Sequence, residues 1–313
     1  MKPYFDLKIW DRLDPCPRDV LLRDSADCDC VFTQSASDKI NEEFFNNAPN
    51  CKMVAQMAVG YDNVDVPTCT KRGILLTNTP DVLTEATADI GWALLMAAAR
   101  RVVSGHKLME SGQWPAWHPF FHLGQDVFGA TLGIVGAGRI GGAIARRGTA
   151  FGMNILYNNR RPSQELETAT GAQYCAFDDL LRKSDFVVMS APLTAETRGL
   201  FGAREFALMK ETAIFVNIAR GAVVNEKDLY EALKAGRPWS AGLDVFEVEP
   251  TPANNPLFTL ENFVGTPHVG SATLKTRTDM ATLTARNAIA AFTGKPIITP
   301  VNKEILSNGI FKI

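Results

Sequence analysis

No apolar run in the chain approaches the ~20 residues needed to cross a bilayer, and residues 1–10 lack the basic-then-apolar order of a secretory signal. A cytosolic location is the expectation. Positive charge is not in excess either. The 32 Lys and Arg against 34 Asp and Glu leave a net charge of −2, too little to build a broad field for nucleic acid or an anionic membrane, so any anion must be held at a local site. The six cysteines, Cys16, Cys28, Cys30, Cys51, Cys69 and Cys175, show no metal-ligand spacing and no disulfide framework, and are expected as reduced thiols. Histidine is scarce, with four in all. His118 and His122 are spaced like metal ligands, but Pro119 interrupts a helix between them and no third ligand offers itself, so no metal is expected. His106 is assigned to a helix.

What is present is a globular composition, with 46% apolar and 21% charged residues, well away from that of disordered chains. At 313 residues the chain exceeds the roughly 250–300 at which single cores stop growing, which implies two domains. Short apolar runs at 131–135, 154–157, 186–190, 213–217, 240–243 and 263–266 alternate with helical patterns, the signature of a parallel sheet with helices on both faces. A smaller set at 5–10, 30–34, 53–57 and 74–77 reads as a second parallel sheet. Residues 83–110, rich in Ala and Leu with few breakers, read as one long bridging helix, and 273–293 as its return partner. The fold class expected is therefore α/β, with two doubly wound parallel-sheet domains. One is a cofactor domain over 83–284, including the bridging helices. It is inserted in a smaller substrate domain of 1–82 and 285–313.

The run 131–141, TLGIVGAGRIG, sets a strand before Gly-x-Gly-x-x-Gly and a helical pattern after it, and that context makes the motif informative. Gly136 permits the tight turn, Gly138 lets the backbone approach a pyrophosphate, and Gly141 lets helix and strand pack closely, with the helix N-terminus favouring the negative charge. The next strand is the place for an acid that bonds the adenosine ribose of NAD. It ends instead in Tyr157-Asn158-Asn159-Arg160-Arg161, with no acid before Glu165. Two arginines suit a 2′-phosphate, so NADP(H) is expected over NAD(H). The alternative is a pair of solvated surface arginines.

Reduction of a keto acid needs a cationic anchor for the carboxylate and carbonyl, and a proton donor for the developing alkoxide; arginine and histidine suit these roles. Three candidates follow predicted strands: Arg220 in Ile218-Ala219-Arg220-Gly221, Glu249 before Pro250, and His268 in Pro267-His268-Val269-Gly270. In open α/β sheets, ligands bind outside the carboxyl ends of the strands, where all three fall. Glu247 competes with Glu249 and is expected to face solvent.

The order Gly-x-Gly-x-x-Gly, Ala-Arg-Gly, Leu-Asp-Val-Phe-Glu-x-Glu-Pro, Pro-His-x-Gly resembles the D-isomer-specific 2-hydroxyacid dehydrogenase family across nearly the entire chain. Within it, Val59-Gly60-Tyr61-Asp62-Asn63, Thr79-Pro80 and Arg160-Arg161 look most like the bacterial glyoxylate/hydroxypyruvate reductases that also reduce 2-ketogluconate. The resemblance implies a Rossmann domain inserted in a flavodoxin-like one, and NADPH-dependent reduction of small 2-keto acids to D-2-hydroxy acids. It implies that Arg220 anchors the substrate, that His268 donates the proton, and that Glu249 pairs with the imidazole and stabilises its charged form. Val59 and Gly60 would meet the substrate carboxylate and Asp244 the nicotinamide carboxamide. Further cofactor contacts would come from Arg139, Ile140, Asn159, Pro192, Thr197, Ile218, Ala219 and Gly270, and closure of the domains would exclude water. The aromatic stretch Trp114–Phe121, which in relatives crosses to a second subunit, implies a homodimer; a local apolar plug is the alternative. Relatives begin with an additional strand and helix before the stretch matching 4–11. An NAD-dependent D-3-phosphoglycerate dehydrogenase is disfavoured by the missing ribose acid. A silent, corepressor-like dinucleotide sensor is disfavoured by the intact Arg220, Glu249 and His268.

Overall fold

The computed structural model describes residues 1–34 and 38–308. The chain divides into two compact units, Met1–Leu83 with Ala272–Ile313, and Thr84–Ser271.

The smaller unit begins with α1 (Arg18–Ser25), β1 (Cys30–Thr33), α2 (Glu42–Asn47), β2 (Met53–Gln56), α3 (Val66–Arg72) and β3 (Leu75–Thr77). The strands pair in parallel in the order β1-β2-β3, with Met53 between Cys30 and Leu75. All four residues of β2 are buried, as a strand covered on both faces requires. Local chemistry sets the helix ends: the Asp65 side chain accepts the Thr68 amide at 3.1 Å to start α3, and Gly73 in the left-handed region closes it. Residues 5–10 correct the sequence expectation, because they form no strand. Phe5, Leu7 and Ile9 alternate as a strand would, but no ladder forms there among the described residues. Phe5 docks edge-to-face on Phe292 with ring centroids 5.6 Å apart, while Ile9 is exposed. Alternation alone does not make a strand without a partner to bond.

The larger unit opens with α4 (Thr84–Ala99) and α5 (Val102–Glu110), then runs β4 (Thr131–Val135), α6 (Arg139–Ala150), β5 (Asn154–Asn158), α7 (Gln164–Thr170), β6 (Gln173–Tyr174), α8 (Phe177–Lys183), β7 (Phe186–Met189), α9 (Ala203–Leu208), β8 (Ile214–Asn217), α10 (Glu226–Lys234), β9 (Ser240–Leu243) and β10 (Phe263–Gly265). Its seven strands are all parallel, in the order β10-β9-β8-β7-β4-β5-β6, a doubly wound sheet whose direction of winding reverses between β4 and β7. One core packs α4 and α6 on the sheet through Leu94, Leu95, Ile144, Leu132 and Val188; the other packs α8, α9 and α10 through Leu180, Phe206, Leu229 and Phe215. Burial of each large side chain among these contributes about 1.5–3 kcal/mol.

The single helix expected over 83–110 is two helices. Arg101 turns into the left-handed region at φ 53°, and the Ala99 carbonyl accepts the Gln125 amide at 2.8 Å instead of continuing the helical ladder. All of α4 packs into the core on one side, whereas no residue of α5 is buried, so nothing but the local ladder would have kept the two aligned. The two-residue β6 is too short to give a sequence signal and ends the sheet at one edge.

The chain then enters α11 (Leu274–Thr293), started by Thr273 accepting the Thr276 amide at 3.0 Å. The division falls at Ser271/Ala272 and not at 284/285, because α11 is one continuous helix from Leu274 whose Ala288 and Ala290 pack with Met53, Ala55 and Leu75 of the smaller sheet, and its first turns go with the rest of it. Among the described residues no helix is long and apolar enough to cross a membrane.

Candidate active site

The loops after β4, β5, β7, β8, β9 and β10 open at the carboxyl edge of the larger sheet and carry almost every residue expected to bind cofactor or to act on substrate. At β4, Gly136 adopts φ 90°, and a Cβ there would lie 2.4 Å from the Ala191 backbone at the start of the β7 loop. A side chain is therefore excluded both by torsion and by the neighbouring strand. Ser190 fixes the same crossing, its Oγ donating to the Gly136 carbonyl at 2.8 Å. A Cβ on Gly141 would lie 2.7 Å from the Gly136 carbonyl, so only a glycine lets α6 start this close to the sheet. By contrast, a Cβ on Gly138 would meet no atom within 4 Å. Space is thus open at the start of α6, and the first turn holds no acid, so the residues present fit a dinucleotide pyrophosphate. Arg139 and Ile140 begin that helix.

At β5, Asn159 donates from Nδ2 to the Ala137 carbonyl at 3.3 Å, tying the strand end to the glycine loop, and Arg160 and Arg161 are exposed just beyond it. At β7, the Thr197 hydroxyl donates to the Pro192 carbonyl at 2.7 Å and shapes the loop that both residues lie on.

At β8, Ile218 and Ala219 are buried and lead to half-buried Arg220. The next residue cannot carry a side chain: a Cβ on Gly221 would fall 1.8 Å from the carbonyl carbon of Phe246, so the β8 and β9 loops touch backbone to backbone. At β9, Asp244 is 1% exposed. Its carboxylate accepts the Thr266 hydroxyl at 2.6 Å and the Val269 and Gly270 amides, each at 2.8 Å, while its carbonyl accepts the His268 amide at 2.9 Å. This grip holds His268 in the left-handed region at φ 52°, a conformation that a non-glycine residue keeps only when its surroundings over-determine it. Glu249 is held by the Phe246 amide, which donates to Oε1 at 2.9 Å, and its Oε2 lies 2.7 Å from His268 Nδ1. Burial pushes the Glu249 carboxyl up. The hydrogen bond and charge of His268, the Phe246 amide and the Arg220 charge together outweigh it, and the carboxyl sits below its ordinary 4.5. Glu247, its competitor, is exposed and accepts the Glu226 amide at 3.0 Å.

The chain that carries this carboxylate-bound imidazole and arginine has relatives among known proteins. Residues 92–270 match the family described as D-isomer specific 2-hydroxyacid dehydrogenase, NAD binding domain. The chain belongs to the D-isomer specific 2-hydroxyacid dehydrogenases. It is 50% identical over 310 residues to a glyoxylate reductase of Thermococcus kodakarensis, covering 98% of this chain and 92% of that protein. The crystal structure of a Thermus thermophilus protein superposes with a TM-score of 0.85 at 42% identity, covering 91% of this chain and 90% of that one. An NADPH-dependent glyoxylate/hydroxypyruvate reductase from Sinorhizobium meliloti, solved in complex with NADP and malonate, gives a TM-score of 0.81 at 35% identity over 89% of this chain and 85% of its own.

This dehydrogenase is therefore an oxidoreductase whose larger unit carries the NAD-binding domain of its family, on an α/β fold with parallel sheets. Two expected residues lie in its smaller unit. Val59 and Gly60 follow β2, where Asn78 Nδ2 donates to the Val59 carbonyl at 2.9 Å and Gln56 Nε2 to the Gly60 carbonyl at 3.0 Å. Ser190, Asn217 and Thr266, which were not among the expected site residues, hold the loops through side-chain hydrogen bonds. Each leaves the same trace, as the polar residue that closes an apolar run at 186–190, 213–217 or 263–266. Other candidates do not join the site. His122 Nε2 lies 3.4 Å from Ser104 Oγ and 3.2 Å from the Arg101 carbonyl, and His106 pairs with Glu110 on α5. Burial pushes the Cys30 thiol up and the Cys69 thiol up to about 12, so neither is a thiolate near neutrality.

Proposed function

We propose that this dehydrogenase reduces small 2-keto acids, with glyoxylate, hydroxypyruvate and 2-ketogluconate as the candidates, to D-2-hydroxy acids at the expense of NADPH. The observation that carries the reading is the 2.7 Å contact between His268 Nδ1 and Glu249 Oε2 in the loops next to Arg220. With Nδ1 engaged by a carboxylate, Nε2 is the nitrogen left to serve the substrate. Arg220 binds the keto acid through its planar guanidinium, which matches a carboxylate better than a lysine could. His268 hands the Nε2 proton to the carbonyl oxygen as negative charge develops there, and Glu249 stabilises the imidazolium before the transfer. When bound, the dinucleotide supplies the hydride for the carbonyl carbon.

On the cofactor side, Gly136, Gly138, Gly141, Arg139 and Ile140 are assigned to the pyrophosphate. Asn159, Arg160 and Arg161 take the adenosine end, where the paired guanidinium groups favour a 2′-phosphate and hence NADP(H) over NAD(H). Pro192, Thr197, Ile218, Ala219 and Gly270 line the path to the nicotinamide. Asp244 already accepts three hydrogen bonds, and a carboxylate offers roughly four acceptor positions, so one position is left for the nicotinamide carboxamide. The Val59 and Gly60 amides are assigned to the substrate carboxylate.

The protein is further assigned as a cytosolic homodimer. Trp117, Phe120 and Phe128 are 80%, 79% and 78% exposed, and Val102 and Met109 on α5 are exposed as well, an apolar concentration that supports a second copy as its cover. A monomer in sedimentation at micromolar protein would contradict this assignment. The catalytic reading is tested by chiral analysis of the product made from hydroxypyruvate with NADPH. D-glycerate formed by the parent and abolished in His268→Gln is expected; the L-enantiomer, or undiminished turnover in the variant, would contradict it.

A further inference from the structure

Asn217 closes β8 and is completely buried, an expensive place for a primary amide unless both of its ends are used. Both are used, and on the same turn. Oδ1 accepts the Ala219 amide at 3.0 Å and Nδ2 donates to the Arg220 carbonyl at 2.9 Å. The backbone of Asn217 is pinned as well: its carbonyl accepts the Asp244 amide at 3.0 Å, and the following residue, Ile218, donates to the Met189 carbonyl at 3.2 Å. Beyond the turn, Gly221 lies against the Phe246 carbonyl, so the loop is blocked on that side. The Arg220 guanidinium folds over the same turn, Nη1 donating to the Ala219 carbonyl at 2.8 Å.

From these contacts we infer that Asn217 is the positioning residue for Arg220, its amide fixing the turn from which the guanidinium reaches the keto acid. The inference rests on the reading of Arg220 as the substrate's anchor. Only a side chain with a donor and an acceptor a fixed distance apart does this. Aspartate keeps the acceptor for the Ala219 amide but turns a second oxygen toward the Arg220 carbonyl, where it repels. Serine keeps a single hydrogen bond to the turn. The Asn217 side chain is buried with both ends bonded to the turn, so its loss is expected in the binding of the keto acid and not in that of the dinucleotide.

The test uses the full-length protein and the variants Asn217→Asp and Asn217→Ser, with hydroxypyruvate as substrate and oxamate as a non-reacting analogue. Expected is a rise of at least about tenfold in KM for hydroxypyruvate and in the inhibition constant of oxamate for Asn217→Asp, a smaller rise for Asn217→Ser, and an NADPH dissociation constant within about twofold of the parent in both. Should Asn217→Asp fail to fold, the serine variant reads the same split. Unchanged KM and oxamate inhibition, or an equal loss of NADPH and oxamate affinity, would overturn the inference. Arg220→Lys separates the two levels of the argument. If it weakens oxamate while the Asn217 variants do not, the positioning role alone is wrong; if it leaves oxamate unaffected, the anchor reading and this inference fall together.

Discussion

Replacing Glu249 with Gln conserves volume and removes one charge from the pair that defines the site. Oε1 of the new side chain can still accept the Phe246 amide, now made at 2.9 Å, which turns the amide nitrogen toward His268 Nδ1, where the carboxylate now lies at 2.7 Å. A hydrogen bond to a charged group contributes about 1.5–3 kcal/mol. The His268 and Glu249 side chains are 44% and 28% exposed, so solvent screening places this pair in the lower half of that range. A loss of about 1.5–2 kcal/mol in the proton-transfer step corresponds to a factor of ~10–30 in kcat/KM. Initial rates of NADPH oxidation with hydroxypyruvate at neutral pH measure it, with KM for NADPH expected to stay as in the parent. A second arm follows from the lowered carboxyl. A carboxyl held below 4.5 in the folded state adds stability that is fully present above 4.5 and is lost as pH falls through the folded value. The difference in urea-unfolding free energy between parent and Glu249→Gln should therefore shrink as pH falls below 4.5. A kcat/KM within about twofold of the parent, or a stability gap that widens on acidification, would refute the reasoning.

Three further outcomes are expected. Alanine at both Arg160 and Arg161 should raise KM for NADPH by roughly tenfold or more while changing KM for NADH far less, since only the former carries a 2′-phosphate for the guanidinium groups; equal changes would remove the basis for NADP(H) preference. Gly221→Ala drives a Cβ into the Phe246 carbonyl, so the β8 loop must shift, lowering stability by about 1–3 kcal/mol and activity with it; a melting temperature and rate like the parent's would show that the two loops do not touch as described. Tyr157→Phe leaves the Ser163 amide and Glu167 without the hydroxyl they meet at 2.7 and 2.6 Å, for a loss of about 1–2 kcal/mol in chemical denaturation with no change in KM for keto acid; an unchanged midpoint would contradict it.

The larger unit was legible because its signals are redundant. Gly136, Gly138 and Gly141 stand between a strand and a helix that each had their own pattern, and Arg220, Glu249 and His268 each follow a recognisable apolar run. The break between α4 and α5 was hidden, because neither Arg100 nor Arg101 is a helix breaker; a tertiary contact, the Gln125 amide on the Ala99 carbonyl, competes there with the ladder. Residues 5–10 misled for the converse reason, as their alternation is real but finds no neighbouring strand. Of the site, the groups that face outward were readable by chemistry. The buried Asn217 and half-buried Thr266 show in the sequence only as polar residues ending apolar runs, since such an amide or hydroxyl declares its role only once its partners are known.

The central claim, NADPH-linked reduction of a 2-keto acid, is met most directly by the initial rate of absorbance loss from NADPH and, separately, from NADH, with glyoxylate, hydroxypyruvate, 2-ketogluconate and pyruvate supplied in turn. The account predicts turnover of one or more of the first three, with kcat/KM higher for NADPH than for NADH. No turnover of any keto acid in a protein that binds either dinucleotide would contradict it.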